Sequence, residues 1–312
     1  MDITEEILQS HQRILPYIHR TPVHSSKMID EISGATLFFK CENFQKMGAF
    51  KMRGATNAIL LLSKEQHQKG VVTHSSGNFA QALALAAKNI GVKAHIVMPK
   101  NAPEVKKKAV RGYGGIITEC EPTLEARETT ASKIQQEKGA TFVHPFNDFN
   151  VILGNASAGK ELLEEVPDLN IIVVPVGGGG LISGVALSAI SFGNNCKVIG
   201  AEPLNVDDAY RSLESGKIEY NQSTDTIADG LKTSLGDITF NIINNHVAKI
   251  IRVTEEEIVE AMRLIWERMK IIIEPSSAVT LAAILKSKQE FSNKKIGLIL
   301  SGGNVDLKNL PF

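Results

Sequence analysis

Apolar runs alternate along the chain with stretches of helical periodicity, and the alternation forms two series. In the first series the apolar, β-branched runs occupy residues 70–76, 93–99, 114–120 and 140–145. The helical patterns between them occupy residues 78–90, 103–112 and 123–138. Strands that alternate with helices at this spacing predict successive βαβ units around a parallel sheet.

A second series follows, with apolar runs at 171–176, 197–203, 248–254 and 295–303 and long helical patterns at 255–270 and 276–286. The N-terminal segment adds a helix over 4–14, with Thr4 as its N-cap, and a strand over 36–42. We therefore predict an α/β protein with two open, twisted parallel-sheet lobes. Residues 1–69 and 148–312 form a large domain, and residues 70–147 form a small one. Ligands of such sheets bind beyond the carboxyl ends of the strands, so the site is expected between the lobes.

Composition limits the classes of binding partner and the cellular compartment that the sequence predicts. Lys+Arg and Asp+Glu number 34 each, and no basic run predicts binding to nucleic acid or to a membrane surface. The partner is therefore expected to be a small molecule. Cys41, Cys120 and Cys196 are far apart and predict reduced thiols rather than disulfides or a zinc site. The N-terminus lacks the features of a signal peptide, and no apolar run is long enough for a membrane span, so we expect a cytoplasmic protein.

Four consecutive glycines, Gly177, Gly178, Gly179 and Gly180, follow the predicted strand 171–176, and a helix is expected from about Leu181. Glycine N–H groups at a helix N-terminus form a cradle for phosphate. A tight βα turn is the structural alternative. A dinucleotide-binding loop is a second alternative, because an acid, Glu202, ends the next strand. The G-x-G-x-x-G spacing fails, however, since Ile182 or Ser183 takes the sixth position.

Three further segments carry candidate chemistry. Lys51 opens an apolar helix after a Met-Gly turn; a lysine in apolar surroundings loses its proton readily and forms Schiff bases, although most lysines are simply solvated. Ser75, Ser76 and Asn78 gather at a helix start, which suits a carboxylate but also an ordinary N-cap. Ser301 follows the last predicted strand in the same way.

The segment from Glu202 to Asp208 carries several carboxylates after a strand. Carboxylate and carbonyl oxygens are ligands for a hard divalent cation. The alternative, which the spacing favours at least as much, is that these acids cap the N-terminus of a helix. The spacing alone leaves both open.

Taken in order, these segments resemble the fold-type II pyridoxal-phosphate enzymes, which share their fold with the tryptophan synthase β-subunit, and within them the serine racemase and serine/threonine dehydratase group. The resemblance runs over nearly the whole chain. It rests on seven motifs: ENFQKMGAFKMRGA (42–55), THSSGN (73–78), PVGGGGLISG (175–184), AEPLNVDD (201–208), TIADGL (226–231), ERMKIIIEPSSA (267–278) and LSGGNVD (300–306).

The resemblance implies a role for each matching residue. Lys51 matches the lysine that holds pyridoxal phosphate as a Schiff base, and Phe50 the residue packed on its ring. Gly177 to Gly180 and the amide of Leu181 match the phosphate cup, Asn78 the amide that bonds the ring oxygen, and Ser301 the hydroxyl facing the ring nitrogen. Ser75, Asn78 and Arg127 are expected to bind the substrate carboxylate. Glu202, the Val206 carbonyl and Asp208 match a site for Mg²⁺ or Ca²⁺.

The implied activity is that of an ammonia-lyase, which converts L-serine- and L-threonine-type hydroxy amino acids to a keto acid and ammonia. Ser76 matches the second base of serine racemases, so racemisation is implied as a second activity. A mobile small domain and a homodimer are also implied. Phe79-Ala80, Phe146-Asn147-Asp148 and Gly154-Asn155-Ala156-Ser157 depart from the racemase pattern. A hydroxyaspartate dehydratase, a β-replacement enzyme such as a cysteine synthase, and a nicotinamide-binding or non-catalytic protein remain the alternatives.

Overall fold

The computed structural model describes residues 2–312 and contains two separate sheets. The larger sheet has six strands in the order β1-β2-β10-β7-β8-β9, and the smaller has four in the order β5-β4-β3-β6. In chain order the strands are β1 (Val23–His24), β2 (Thr36–Cys41), β3 (Val71–His74), β4 (Ala94–Pro99), β5 (Ile116–Cys120), β6 (Thr141–Phe142), β7 (Ile171–Pro175), β8 (Lys197–Pro203), β9 (Lys249–Val253) and β10 (Lys295–Leu300). Only the β1–β2 pair is antiparallel within these sheets.

Helices cover both sheets, as a mostly parallel α/β architecture requires. They are α1 (Ile3–Ile14), α2 (Lys27–Ser33), α3 (Lys51–Leu60), α4 (Lys64–Lys69), α5 (Asn78–Ile90), α6 (Glu104–Gly112), α7 (Leu124–Lys138), α8 (Phe149–Glu165), α9 (Gly180–Phe192), α10 (Asp208–Ser215), α11 (Asp237–His246), α12 (Glu255–Met269), α13 (Pro275–Lys286) and α14 (Lys288–Phe291). Short 3₁₀ turns lie at Leu15–Tyr17, Glu42–Phe44, Lys46–Gly48 and Asp229–Leu231. No helix between residues 2 and 312 is both long and apolar enough to cross a bilayer.

The α/β class with two parallel sheets is confirmed, but two details of the predicted elements are wrong. Thr4 is not the N-cap of α1; Asp2 is, because its carboxylate accepts the Thr4 N–H at 3.1 Å. The predicted strand 140–145 shrinks to the two residues of β6. Its remainder leaves the sheet and runs towards Lys51. The predicted domain boundaries and the mobility of the small domain stay predictions.

Helix α8 was not predicted, and it lies at the centre of the larger unit. It has no polar face, because most of its residues are buried against α3 and α9. Close packing requires its small residues: a Cβ on Gly154 would lie 2.6 Å from the Arg53 carbonyl oxygen. The four-residue departure at Gly154 to Ser157 therefore belongs to a helix interface, although Asn155 Nδ2 reaches the Gly180 carbonyl at 3.3 Å.

The order of strands in the larger sheet reverses at β7. The next strand in the chain, β8, lies on one side of β7, and β10 lies on the other. This is a topological switch point, where the carboxyl ends of two neighbouring strands leave a crevice. The glycines follow β7, and Ser301 follows β10. The topology thus brings together two segments that are 121 to 124 positions apart in the chain.

Candidate active site

Lys51 is the first residue of α3, and its half-buried amine has apolar neighbours. Its Nζ lies 5.0 Å from the Phe50 ring centroid and 5.6 Å from that of Phe79. Its hydrogen-bond acceptor is neutral, the Pro145 carbonyl oxygen at 2.7 Å. Burial lowers the pKa of Lys51 to about 8, and the Glu274 carboxylate opposes this shift. About a tenth of the amine is therefore unprotonated at pH 7, far more than for a solvated lysine.

The glycine loop is shaped by close contacts on several sides. A Cβ on Gly177 would lie 2.9 Å from Leu231 Cα, and one on Gly180 would lie 2.9 Å from Phe146 Cβ. Gly179 has a φ of +86°, which only glycine adopts readily, and the Gly178 carbonyl accepts from Thr239 Oγ1 at 2.9 Å. Helix α9 begins at Gly180, so its first N–H groups have no acceptor within the helix. The loop is thus an anion cradle at the start of a 13-residue helix.

One short segment, His144 to Asn147, joins the lysine to the glycine loop. Pro145 accepts the hydrogen bond from Lys51, the Phe146 ring packs directly on Gly178, and the Phe146 Cβ and main chain lie against Gly180. His144 Nδ1 accepts from the Asn147 N–H at 2.8 Å and so fixes the turn. Burial, followed by the charges of His74 and Lys51, lowers the pKa of His144 to about 4, so the ring is neutral at pH 7. The amine and the anion cradle therefore both contact this one segment.

Asn78, the first residue of α5, is held by hydrogen bonds on both sides of its carboxamide. Its Nδ2 donates to Glu274 Oε1 at 3.0 Å, and its Oδ1 accepts from Asn304 Nδ2 at 2.9 Å. Ser301 is buried after β10, and its hydroxyl lies 3.1 Å from that of Ser277. The Phe50 N–H donates to the Ser301 carbonyl at 3.0 Å, which ties the end of β10 to the start of α3.

The residues expected to bind a substrate carboxylate are only partly brought together. Ser75 accepts weakly from the Gly77 N–H at 3.4 Å, and Ser76 is half-buried in the loop between β3 and α5. Arg127 lies in the first turn of α7, and its charge helps lower the pKa of His74, after burial and the opposing effect of Glu128. Its buried Nε has no hydrogen-bond partner among residues 2–312. Arg127 forms no hydrogen bond with the serines, so its role stays a prediction.

The carboxylates expected to bind a metal are both buried. Glu202 accepts from the N–H groups of Ala209 and Tyr210 at 3.2 and 3.0 Å, so it does cap α10, as the structural alternative requires. Asp208 accepts from the Leu235 N–H at 2.9 Å, and burial raises its pKa to about 6. Burial and the charge of Asp208 raise the pKa of Glu202 well above its usual range. Within residues 2–312 no three His, Cys, Asp or Glu side chains converge as a metal cluster.

Arg53, two residues beyond Lys51, is fully buried and lies in a network of paired charges. Its guanidinium contacts Glu42 at 2.7 Å and Glu161 at 2.7 Å, each through two hydrogen bonds. Lys40 Nζ binds the same Glu161 carboxylate at 2.7 Å, and Thr21 Oγ1 donates to Glu42 at 2.5 Å. Two cations therefore face two carboxylates, and the network fixes the start of α3.

Sequence reasoning missed three residues of this site: Glu274, Ser277 and Asn304. Each lies inside a quoted motif, but none stood out, because its partner is distant in the chain. Glu274 precedes a proline at a helix start, which reads as an ordinary boundary. The only available signal was an acidic residue directly before an apolar helix.

The residues present fit pyridoxal phosphate. Glycines shaped by close contacts and a free helix N-terminus suit its phosphate. An amine with a pKa of about 8 suits its aldehyde. The Asn78 carboxamide and the Ser301 hydroxyl offer polar groups for the ring, and Phe50 and Phe79 offer apolar surface. A nicotinamide dinucleotide would leave the lysine without a role.

Comparison with known proteins agrees with this fit. The family model described as pyridoxal-phosphate dependent enzyme matches residues 14–302. Serine racemase of Dictyostelium discoideum is 52% identical over 312 residues, covering 98% of this chain and 96% of that protein. The beta-hydroxyaspartate dehydratase of Paracoccus denitrificans is 51% identical over 308 residues, covering 99% and 98%. The structure of maize serine racemase superposes with a TM-score of 0.96 at 49% identity, covering 97% of this chain and 94% of that one. The chain therefore belongs to the pyridoxal-phosphate dependent enzymes, in the fold-type II group that its motifs predict.

Proposed function

We propose that this enzyme is an ammonia-lyase, which converts small L-amino acids with a β-hydroxyl group to a keto acid and ammonia. The observation that carries the proposal is the Lys51 amine, which lies near two aromatic rings and is joined to the glycine loop through Pro145 and Phe146. Two relatives near 50% identity are named for serine and for β-hydroxyaspartate. Both compounds are α-amino acids with a β-hydroxyl, so this shared chemistry defines the proposed substrate class.

Pyridoxal phosphate, when bound, supplies an aldehyde for the substrate amine and a ring that delocalises charge from the α-carbon. Lys51, with its lowered pKa, is poised to take the α-proton once its amine is free. The glycine loop would hold the phosphate, and Asn78 and Ser301 would orient the ring. Ser75 and Asn78, the latter through its main-chain N–H at the start of α5, are proposed to bind the substrate carboxylate, with Arg127 as a helper. The neutral Ser301 hydroxyl suits a ring nitrogen without a proton.

The test is a substrate panel on the purified enzyme loaded with pyridoxal phosphate. A visible absorption band that borohydride abolishes would report the lysine-bound cofactor. L-Serine, L-threonine and β-hydroxyaspartate are then assayed for keto acid and ammonia. Keto acid from at least one of them supports the proposal. A band with no keto acid, but with β-replacement in the presence of sulfide, would assign the enzyme to the cysteine synthase type.

Serine racemisation is the second proposed activity, and it depends on the Ser76 hydroxyl as a second proton donor. Ser76→Ala should reduce D-serine formation from L-serine by roughly 100-fold or more, the scale of a lost general acid or base, while pyruvate formation persists. Ser75→Ala is the matched control, because loss of a carboxylate contact should weaken both reactions together. Equal D-serine formation by Ser76→Ala and the parent enzyme would exclude Ser76 as the second base.

A divalent cation, Mg²⁺ or Ca²⁺, is also proposed, bound by Glu202, the Val206 carbonyl and Asp208. Its support is the chemistry of two buried carboxylates with raised pKa values, since an ion of charge +2 would relieve their repulsion. Waters would complete the shell. The homodimer stays a proposal that rests on the family resemblance. Light scattering should give twice the mass of one chain.

A further inference from the structure

Glu274 is a buried carboxylate that the proposed mechanism does not use. It is 3% exposed and lies just before α13 in the chain. In space it lies beside the segment that follows β10. Its own N–H donates to the Gly302 carbonyl at 3.0 Å, so its backbone is fixed to the segment after Ser301. A buried acid at this place needs hydrogen-bond donors around it, and the structure supplies them.

The polar contacts of the Glu274 carboxylate are all with donors. Asn78 Nδ2 lies 3.0 Å from Oε1 and 3.1 Å from Oε2, and the Asn304 N–H donates to Oε2 at 3.2 Å. A carboxylate accepts all of these bonds, whereas a protonated acid would turn a donor towards a donor. The arrangement is therefore built for the ionised acid.

The opposite side of the Asn78 carboxamide is fixed by a second amide. Asn304 Nδ2 donates to Asn78 Oδ1 at 2.9 Å and to the Met47 carbonyl at 2.9 Å. The carboxamide of a free asparagine turns easily, because its terminal torsion is broad. Here a turn of 180° would place Oδ1 against the Glu274 carboxylate and Nδ2 against the Asn304 amide. One orientation alone satisfies every partner.

We propose that Glu274, together with Asn304, is a positioning residue that holds the Asn78 carboxamide with its Nδ2 group turned towards the ring oxygen of pyridoxal phosphate. This inference rests on the cofactor role proposed for Asn78. Nδ2 carries two hydrogens; it lies at nearly equal distances from both Glu274 oxygens, so one N–H shared between them makes both contacts and leaves the other for the cofactor. Glu274 acts through Asn78 and does not itself touch the reacting atoms.

The ionisation of Glu274 gives the inference a second observable. Burial, helped by the Asp229 charge, raises the pKa of Glu274 to about 7, while Lys106 opposes the shift. Lys106 and Asp229 form an ion pair at 2.5 Å, and the Lys51 charge also faces this carboxylate. Above pH 7 the carboxylate accepts from Asn78; below pH 7 one oxygen carries a proton, and the Asn78 carboxamide loses part of its support.

The main test compares Glu274→Gln with the parent enzyme, with cofactor affinity and the absorption spectrum as readouts. Gln keeps the size but presents an NH₂ group where Oε1 or Oε2 now accepts. The affinity for pyridoxal phosphate should fall roughly tenfold, as for one lost hydrogen bond to a charged group. The ratio of visible to near-ultraviolet bands should change, and its pH dependence near 7 should disappear. Thr280→Ala, a buried change in the same helix away from Asn78, is the control and should alter neither readout.

Two further variants keep the inference testable if Glu274→Gln folds poorly. Asn304→Ala removes the second support and should shift the band ratio in the same direction, by a smaller amount. Asp229→Asn removes a negative neighbour, so the pH midpoint of the spectral change should move below that of the parent enzyme. An unchanged spectrum and affinity in Glu274→Gln, or an unmoved midpoint in Asp229→Asn, would overturn this inference and leave the cofactor role of Asn78 standing. A parent enzyme without the borohydride-sensitive band would instead overturn the cofactor role on which it rests.

Discussion

Two cations stand two residues apart at the start of α3, and their surroundings are opposite. Arg53 is fully buried and meets the Glu42 and Glu161 carboxylates through four hydrogen bonds of 2.7–2.8 Å. Lys51 has a neutral carbonyl and two aromatic rings as neighbours, and no carboxylate within ion-pair distance among residues 2–312. Paired burial makes one cation a structural anchor, and unpaired burial makes the other a reactive amine.

The pKa directions express this difference. Burial by itself would lower the pKa of Arg53, but the charges and hydrogen bonds of Glu42 and Glu161 raise it above its usual range. Burial lowers the pKa of Lys51 to about 8, because Glu274 opposes the shift only in part. The anchor therefore keeps its proton at every pH of interest, whereas the amine can release its own near neutrality. The network fixes α3, so the reactive amine keeps its place without a partner of its own.

Removing the unpaired cation should have the largest effect on function. Lys51→Ala should lose the visible band and reduce keto acid formation by at least roughly 10²–10⁴-fold, the scale of a lost base. The chain should still fold, because no buried partner is left without its bond except the Pro145 carbonyl. Circular dichroism together with the keto acid assay checks both halves. Appreciable turnover by this variant would remove Lys51 from the mechanism.

Removing the paired cation should act on stability instead. Arg53→Met leaves two buried carboxylates with too little positive charge, which costs about 3–5 kcal/mol of the free energy of unfolding. Urea denaturation measures the change. Arg20→Ala, which breaks an exposed ion pair with Glu164, is the control and should cost only about 0–1 kcal/mol. Equal losses in the two variants would contradict the contrast drawn between the anchor and a surface pair.

A third set of buried ionisable groups, Glu202 and Asp208, differs from both cations. It consists of two carboxylic acids and includes no basic side chain. Raised pKa values mean that the folded chain keeps protons that the unfolded chain has already lost. Without a metal, stability should therefore fall as the pH rises from about 4 through about 6, where Asp208 ionises. Mg²⁺ or Ca²⁺ at 100 times its dissociation constant should restore about 2.7 kcal/mol. Thermal melting with and without chelator measures this, and Asp208→Asn should make the chelator irrelevant.

The smallest predicted effect is on the pH dependence of reconstitution. The unprotonated Lys51 amine is the reactive form, so the rate at which the apoenzyme takes up pyridoxal phosphate should rise about tenfold per pH unit below 8 and level off above it. Glu274→Gln removes a charge that favours the ammonium, and it should move this plateau to lower pH. A rate that still rises steeply above pH 9 would mean that Lys51 is solvated like a surface lysine.

Much of the fold and the site could be predicted, because the signals are local. The helix at 78–90 and the strand at 197–203 match the structure residue for residue, since periodicity and flanking glycines or prolines mark their ends. Lys51 and the glycine run carry their chemistry in a few adjacent letters. The order of seven such segments added the cofactor, which no single one specifies.

What could not be predicted depends on contacts between distant segments. Helix α8 has no amphipathic period because α3 and α9 bury it from several sides, so its sequence shows small residues rather than a polar face. Strand β6 ends early because the chain leaves the sheet to place Pro145 beside Lys51. Glu274 gains its role only from Asn78, 196 positions away. Periodicity does not encode any of these three pairings.

Phe146, whose ring lies directly on Gly178 and whose Cβ and main chain lie against Gly180, links the evolutionary freedom of two distant stretches. A methyl group at Gly178 would collide with the ring, and one at Gly180 would collide with the Cβ and main chain of residue 146, so neither position tolerates even alanine here. A shorter residue at 146 would relieve the collision at position 178 but not the one at 180, and it would leave a gap beside the loop. Divergence at the two stretches must therefore be concerted, and sequences that change one without the other should be rare among working descendants of this chain.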